Sequence, residues 1–305
     1  REQRTANKLI GRTEFEIMTI GDEGNDEQEL SMGCPEGTGL LVVDHYGLDH
    51  SFEASCRGWA ERILVIDDLA NRAHDADFLI DQTYGRTAKD YETLVPGSCR
   101  LLLGSAHTLL RPEFAACREA SVERRNASTA LHRILVSVGS SDPCNFTQIV
   151  LDGIARSNAG AAVDVVLGSS APGLQGVRAK AECSAGEIKV HTDVCAGELS
   201  ELMMRADLAI GSGGIAIWER CCLGMPSLVV CAADNQRDVV DHLAPAGAIR
   251  LLGDAADVGA EQIADAVTAM AEDDDARRKL GRAASRICDG KGVERVMDAV
   301  LAEIG

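Results

Sequence analysis

The chain has 305 residues, enough for one large domain or two of ordinary size. Hydrophobic residues make up 46% and charged residues 26%, a globular composition that excludes disorder, collagen and coiled coil as descriptions of the whole. Lys and Arg number 30 against 48 Asp and Glu, and the net charge of −18 repels polyphosphate backbones, so nucleic acid is not an expected partner.

Short, almost wholly apolar runs recur along the chain. They fall at 40–43, 63–66, 78–80 and 101–103, then at 134–138, 163–167, 188–190, 208–210, 228–230 and 249–252. Runs of this kind predict strands of a parallel sheet covered on both faces. Helical patterns at 145–157, 196–205, 217–223 and 234–246 lie between them, and the alternation predicts an α/β fold. Arg111-Pro112-Glu113-Phe114 starts a further helix, with Pro near its beginning. The polar run 121–129 reads as an exposed linker and places a domain boundary near Ala130, dividing the chain into 1–130 and 131–305. The second domain then opens with a strand at 133–138. After Val258 three helices, 262–272, 276–287 and 293–301, close the chain, and Glu272-Asp273-Asp274-Asp275 reads as a loop and helix N-terminus.

No apolar run approaches the roughly 20 residues of a bilayer span, and the polar N-terminus carries no signal-peptide core, so no membrane partner is expected. Eleven scattered Cys without a C-x-x-C pair fit reduced thiols and a cytoplasmic location. No His spacing indicates a metal site.

Four stretches carry candidate chemistry. Gly139-Ser140-Ser141-Asp142-Pro143-Cys144-Asn145 joins a strand to a helix and outlines an anion site, or an ordinary turn capped by Asp142 or Asn145. Gly211-Ser212-Gly213-Gly214 does the same after the strand at 208–210, with Glu219 one turn into the next helix. Its glycines admit a diphosphate close to the backbone, and the Glu219 carboxylate can accept two hydrogen bonds from a ribose diol or serve helix-start electrostatics. Asn235 and Gln236, beyond the strand at 228–230, offer the donors and acceptors that sugar hydroxyls or an acetamido group require, or accompany a cap. Asp44-His45-Tyr46-Gly47 stands at an early strand end, where His45 is a candidate general base and Tyr46 a donor to a sugar, or all three form a satisfied turn.

These stretches, with Ile66-Asp67-Asp68, Asp81-Gln82-Thr83-Tyr84-Gly85-Arg86 and Trp218-Glu219-Arg220, occur together in an order and spacing that resembles the UDP-2,4-diacetamido-2,4,6-trideoxy-β-L-altropyranose hydrolases of pseudaminic acid biosynthesis. The similarity runs from about Arg1 to about Ala248 and is close over Glu219-Arg220-Cys221-Cys222-Leu223-Gly224-Met225-Pro226. The resemblance implies two Rossmann-like domains of the GT-B type, shared with the glycosyltransferase that makes lipid II. It implies hydrolysis of a UDP-sugar at the anomeric carbon without metal or other cofactor. Carried over by position, Gly139, Ser140, Ser141, Ser212, Gly213, Gly214 and Gln236 would meet UDP, with Glu219 on the ribose. Tyr46 and Asn235 match the family's sugar pocket, and Asp44 and His45 adjoin it.

The resemblance departs at its start. The family opens with a strand, a glycine-rich loop ending in Gly-His-x-x-Arg, and a helix, and the loop histidine is its expected catalytic base. Arg1-Glu2-Gln3-Arg4 resembles the family after its second strand, so the expectation is an incomplete N-terminal domain lacking a βα unit of about 30 residues or more. No residue is then assigned as catalytic base. Thr83 stands where Asn is usual. The alternatives are a GT-B UDP-sugar glycosyltransferase, which would form a glycoside only with an acceptor, and a non-catalytic UDP-sugar-binding fragment.

Overall fold

The computed structural model describes residues 36–127, 130–184 and 187–304. The expectation drawn from Arg1-Glu2-Gln3-Arg4 concerns residues outside these. Two compact units are present, one built from described residues of 36–81, 87–103 and 300–304, the other from those of 82–86 and 104–299.

The first unit contains β1 (Leu41–Val43), α1 (His50–Cys56), β2 (Ile63–Ile66), β3 (Phe78–Asp81) and β4 (Arg100–Leu103). The strands form a parallel sheet in the order β1-β2-β3-β4. Val43, Ile63 and Val65 join Cys56 of α1 in its core. Helix α1 starts where the Asp49 carboxylate accepts the Ser51 amide at 2.9 Å.

The second unit begins its regular structure with α2 (Pro112–Ala127) and β5 (Arg133–Ser137). Then follow α3 (Phe146–Arg156), β6 (Ala162–Leu167), α4 (Leu174–Cys183), β7 (Ile188–Thr192) and α5 (Ala196–Arg205). The second half holds β8 (Leu208–Ser212), α6 (Ala216–Cys222), β9 (Ser227–Cys231), α7 (Arg237–Leu243) and β10 (Arg250–Asp254). Helices α8 (Ala260–Glu272), α9 (Asp274–Ile287) and α10 (Gly292–Ile304) end the chain's described part.

All neighbouring strands of the six-stranded sheet are parallel, in the order β10-β9-β8-β5-β6-β7. Counted from β5, this is the doubly wound order in which the strand sequence reverses between β5 and β8. Both faces are covered, which explains why its strands lack polar alternation. Leu208 and Ile210 of β8 enter one core and Ala209 the other; Leu228 and Val230 of β9 face the first, Val229 and Cys231 the second. Each such Leu, Ile or Val contributes about 1.5–3 kcal/mol on burial.

Two expectations are corrected. The run 121–127 is the end of helix α2 rather than a linker. Its Ser121 is fully buried, and Arg125 is 9% exposed. The Arg125 guanidinium donates to the carbonyls of Met203, Ala206 and Leu223, and Arg124 to those of Arg205 and Ala206 and to Asp207. Two adjacent arginines thus satisfy the open carbonyls at the end of α5, a role that a polar sequence run does not reveal. Helix α2 packs on α5, α6 and α9, and the described residues of 104–299 group together in the second unit. The helix expected over 234–246 divides into a 3-10 turn, Asp234–Gln236, and α7.

The acidic run behaves as anticipated, with the Asp273 carboxylate accepting the Ala276 amide at 2.8 Å at the start of α9. Among the described residues no two cysteines are joined.

Candidate functional site

The two glycine-bearing loops follow β5 and β8, the strands at which the sheet order reverses. Ser137 pairs with Gly211 in register, so the loops leave the same sheet edge side by side. In open α/β sheets this crevice is where ligands bind.

Gly139 turns the chain out of β5 with φ +136°, a conformation that a side chain would strain. Gly139, Ser140 and Ser141 are all exposed. The Ser140 carbonyl accepts the Gly168 amide at 2.8 Å, which ties this loop to the end of β6. The α3 N-terminus is already occupied. Asp142, 5% exposed, accepts the amides of Phe146 at 2.9 Å and Thr147 at 3.0 Å. The capping alternative for Asp142 therefore holds, and its negative charge replaces an external anion at these two amides. What this loop offers a ligand is the backbone and hydroxyls of 139–141.

The second loop is shaped by close approaches. A Cβ on Gly211 would lie 2.5 Å from the Ser137 carbonyl oxygen, and one on Gly213 would lie 2.6 Å from Val240 Cγ1. Ser212 is 7% exposed and ends β8. The Gln236 carboxamide oxygen accepts the amides of Gly213 and Ala232, both at 3.1 Å. Gln236 therefore braces the β8 and β9 loops against each other, leaving its NH₂ as the group available to a ligand. Among the described residues no acceptor meets the amides of Gly214, Ile215 and Ala216 as α6 begins. Asn235 is half-buried in the turn after β9, beside Gln236.

Glu219 is 4% exposed. Arg111 Nη2 donates to its Oε1 at 2.8 Å, and the Arg111 guanidinium lies over the Phe114 ring at 5.4 Å. Burial pushes the Glu219 carboxyl above its ordinary range, and Arg111 opposes that shift. One carboxylate oxygen is thus engaged by the protein and Oε2 remains. Arg111 has no sequence signal for this role, because 108 residues separate the partners. Segment 82–86 also joins this unit, through an Arg86–Asp238 ion pair at 3.2 Å.

The first unit carries the other candidates, and Asp44, His45 and Tyr46 are all exposed after β1. His45 Nδ1 accepts the Gly47 amide at 3.0 Å, which closes the turn and occupies that nitrogen. The Tyr46 hydroxyl donates to Asp68 at 3.1 Å. Arg72 holds the same loop from below, donating to the carbonyls of Leu48 at 3.0 Å and His45 at 3.3 Å and to Asp67 at 2.7 Å. Burial, then the neighbouring charges of Asp67, Asp81 and Asp44, push the Asp68 carboxyl upward, against the Tyr46 hydrogen bond.

Beneath lies a network outside the expected set. Glu53, Asp67, His74, Asp81 and Tyr91 are each 2% exposed or less. His74 Nδ1 meets Glu53 at 2.6 Å, and the Tyr91 hydroxyl lies 2.9 Å from both Asp67 and Asp81. Its two aspartates follow β2 and close β3, and both lie in stretches that carry the family resemblance.

The fold is of the GT-B type. UDP-GlcNAc 2-epimerase from Neisseria meningitidis, solved bound to UDP-GlcNAc, superposes with a TM-score of 0.66 at 12% identity, over 98% of this chain and 89% of that one. MurG of Acinetobacter baumannii superposes with a TM-score of 0.63 at 12% identity, over 99% and 87%. In sequence, the chain is 27% identical over 234 residues to the spore coat polysaccharide biosynthesis protein SpsG of Bacillus subtilis, which is 75% of this chain and 65% of SpsG. The chain spans between 48% and 65% of the curated relatives it matches. No family model matches it.

Proposed function

We propose that the chain processes a nucleotide sugar by hydrolysis. The substrate is a UDP-linked 2,4-diacetamido-2,4,6-trideoxy sugar, and the products are UDP and the free sugar. The observation that carries this reading is the placement of two glycine-shaped loops at the strand-order reversal, the first exposed over 139–141 and the second largely buried over 211–213, with the buried Glu219 carboxylate one turn beyond the second. A diphosphate suits 139–141 and 212–214, where backbone N–H groups and hydroxyls take negative charge without net positive charge. Glu219 Oε2 suits a ribose hydroxyl, and the Gln236 NH₂ suits a further acceptor on the nucleotide. Tyr46 in the first unit and Asn235 in the second carry the polar groups that the family resemblance assigns to the sugar. The polysaccharide role in the name of SpsG and the UDP-GlcNAc bound by the Neisseria epimerase support the substrate class.

In the reaction, the oxygen of water bonds to the anomeric carbon and the bond from that carbon to the phosphate oxygen breaks. UDP leaves with the electron pair, and the water proton passes to a base. The donors of the two loops stabilise the charge that grows on the diphosphate, the term that preorganised amides supply well. The test is incubation with the UDP-sugar in water, followed by NMR. Release of UDP and a reducing sugar without an acceptor supports hydrolysis. A new glycoside formed only with an added acceptor would replace it with transfer, and UDP binding without turnover would leave a binding module.

A further inference from the structure

Arg220 is a buried cation that the proposed chemistry leaves without a role. It is 1% exposed and sits on α6 behind the β8 loop. Its Nη2 donates to the Ser212 carbonyl at 2.5 Å, while Nε and Nη1 have no hydrogen-bond partner. Nη1 comes so near the backbone that a Cβ on Gly211 would lie 2.6 Å from it. Among the described residues no carboxylate is hydrogen-bonded to Arg220, and the longer-range attraction of the neighbouring Glu219 does not outweigh its burial. Burial lowers its pKa to about 10, so the guanidinium remains charged at neutral pH. A buried, unpaired charge is costly, and a donor without a partner calls for an explanation.

The adjoining loop is where a counter-charge would sit. We propose that Arg220 is the positioning residue of the diphosphate subsite: it fixes the Ser212 carbonyl inward, so that the loop's amides face outward, and places a positive charge behind the loop. The anion it serves is the diphosphate of the nucleotide, held on the outer face of 211–214. This inference rests on the nucleotide reading above. It explains how a chain of net charge −18 attracts a diphosphate with no exposed lysine or arginine in either loop. In a region shielded from water such a charge acts over several ångströms. Gly211 is required for the same reason, because any side chain there would displace the guanidinium.

The test compares UDP with uridine, which lacks the diphosphate, on wild type, Arg220→Gln and Arg220→Lys. Calorimetry reads UDP and ligand-observed NMR reads uridine. Arg220→Gln is expected to weaken UDP about tenfold or more and uridine less than about twofold, and Arg220→Lys to restore most of the loss. A merely structural role would lower both ligands alike in Arg220→Gln, and that result overturns the proposal, as does an unchanged UDP affinity. Should Arg220→Gln not fold, Arg220→Met, which keeps the apolar stem and removes the charge, takes its place and is read in the same way: a collapsed ratio of UDP to uridine affinity supports the proposal, and a preserved ratio overturns it. If wild type binds uridine and UDP equally, the diphosphate subsite itself is wrong and both readings fall. If wild type prefers UDP and the variants keep that preference, only the role of Arg220 falls.

Discussion

Glu219→Gln separates what a buried carboxylate does for the nucleotide from what it does for the fold. Glu219 is 4% exposed, and burial raises its carboxyl above the ordinary 4.5. A group whose folded pKa lies above its unfolded value binds more protons when folded. Stability therefore falls as pH rises from 4.5 through the folded value, and the ionised form is the unfavourable one. The amide keeps the shape and removes that cost. It also removes the charge facing Arg111, whose side chain is 45% exposed and stays hydrated, so that loss is small. The net stability change at pH 7 is expected within about 1 kcal/mol of zero, with a flatter pH dependence above pH 4.5. Binding should behave otherwise. With Oε1 engaged by Arg111, Oε2 is the acceptor proposed for ribose, and a hydrogen bond to a charged acceptor is worth about 1.5–3 kcal/mol, roughly 10- to 150-fold in Kd. Calorimetry with UDP and 2′-deoxy-UDP measures this, and urea unfolding measures stability. Wild type should prefer UDP, and Glu219→Gln should lose most of that preference. A variant that loses stability heavily while keeping its discrimination between the two nucleotides would refute the reasoning.

Further outcomes follow from single contacts. Gly213→Ala drives a methyl to 2.6 Å from Val240 Cγ1 and 3.2 Å from Gln236 Cβ. It should cost about 1–3 kcal/mol in thermal or urea unfolding and weaken UDP by displacing the loop; an unchanged UDP affinity would place the nucleotide elsewhere. Asp142→Ala leaves the Phe146 and Thr147 amides without their cap and should destabilise the second unit by about 0.5–2 kcal/mol, measured by urea unfolding. Burial pushes the Asp164 carboxyl upward, but hydrogen bonds from His191 and Arg133 outweigh it and hold it below its ordinary 3.8. Its contribution is complete above that value and is lost as pH falls through the lower folded one. Asp164→Asn should therefore flatten the acid limb of the stability curve below pH 4, and an identical acid limb in both proteins would discount the pair.

The sheet of the second unit was legible in the sequence because its strands are buried on both faces. Apolar runs such as 208–210 and 228–230 have no polar alternation to blur them, and all six strands of that unit occur where the runs lie. The two loops were legible because glycine at 139 and 211–214 answers a local demand, a positive φ in one case and a close backbone approach in the other. Helix α2 was misread past residue 120 for the converse reason. Arg124 and Arg125 look solvated in sequence, and only carbonyls about 80 residues away make them caps, with Arg125 buried and Arg124 half-buried. The same holds within the site. Position along the chain marked Glu219, Gln236 and Asp142 as polar groups near strand ends. Whether each faces a ligand or the protein depended on partners that only folding supplies: Arg111 for Glu219, two amides from different loops for Gln236, and the helix start for Asp142. Sequence determined the strands, the loops and the residue types at the sheet edge, because those follow from burial pattern and backbone freedom. Tertiary structure alone decided which hydrogen-bonding groups remain for a ligand, and that the Arg220 guanidinium lies behind the second loop without a carboxylate hydrogen-bonded to it among the described residues, because both are set by folded contacts that leave no local pattern.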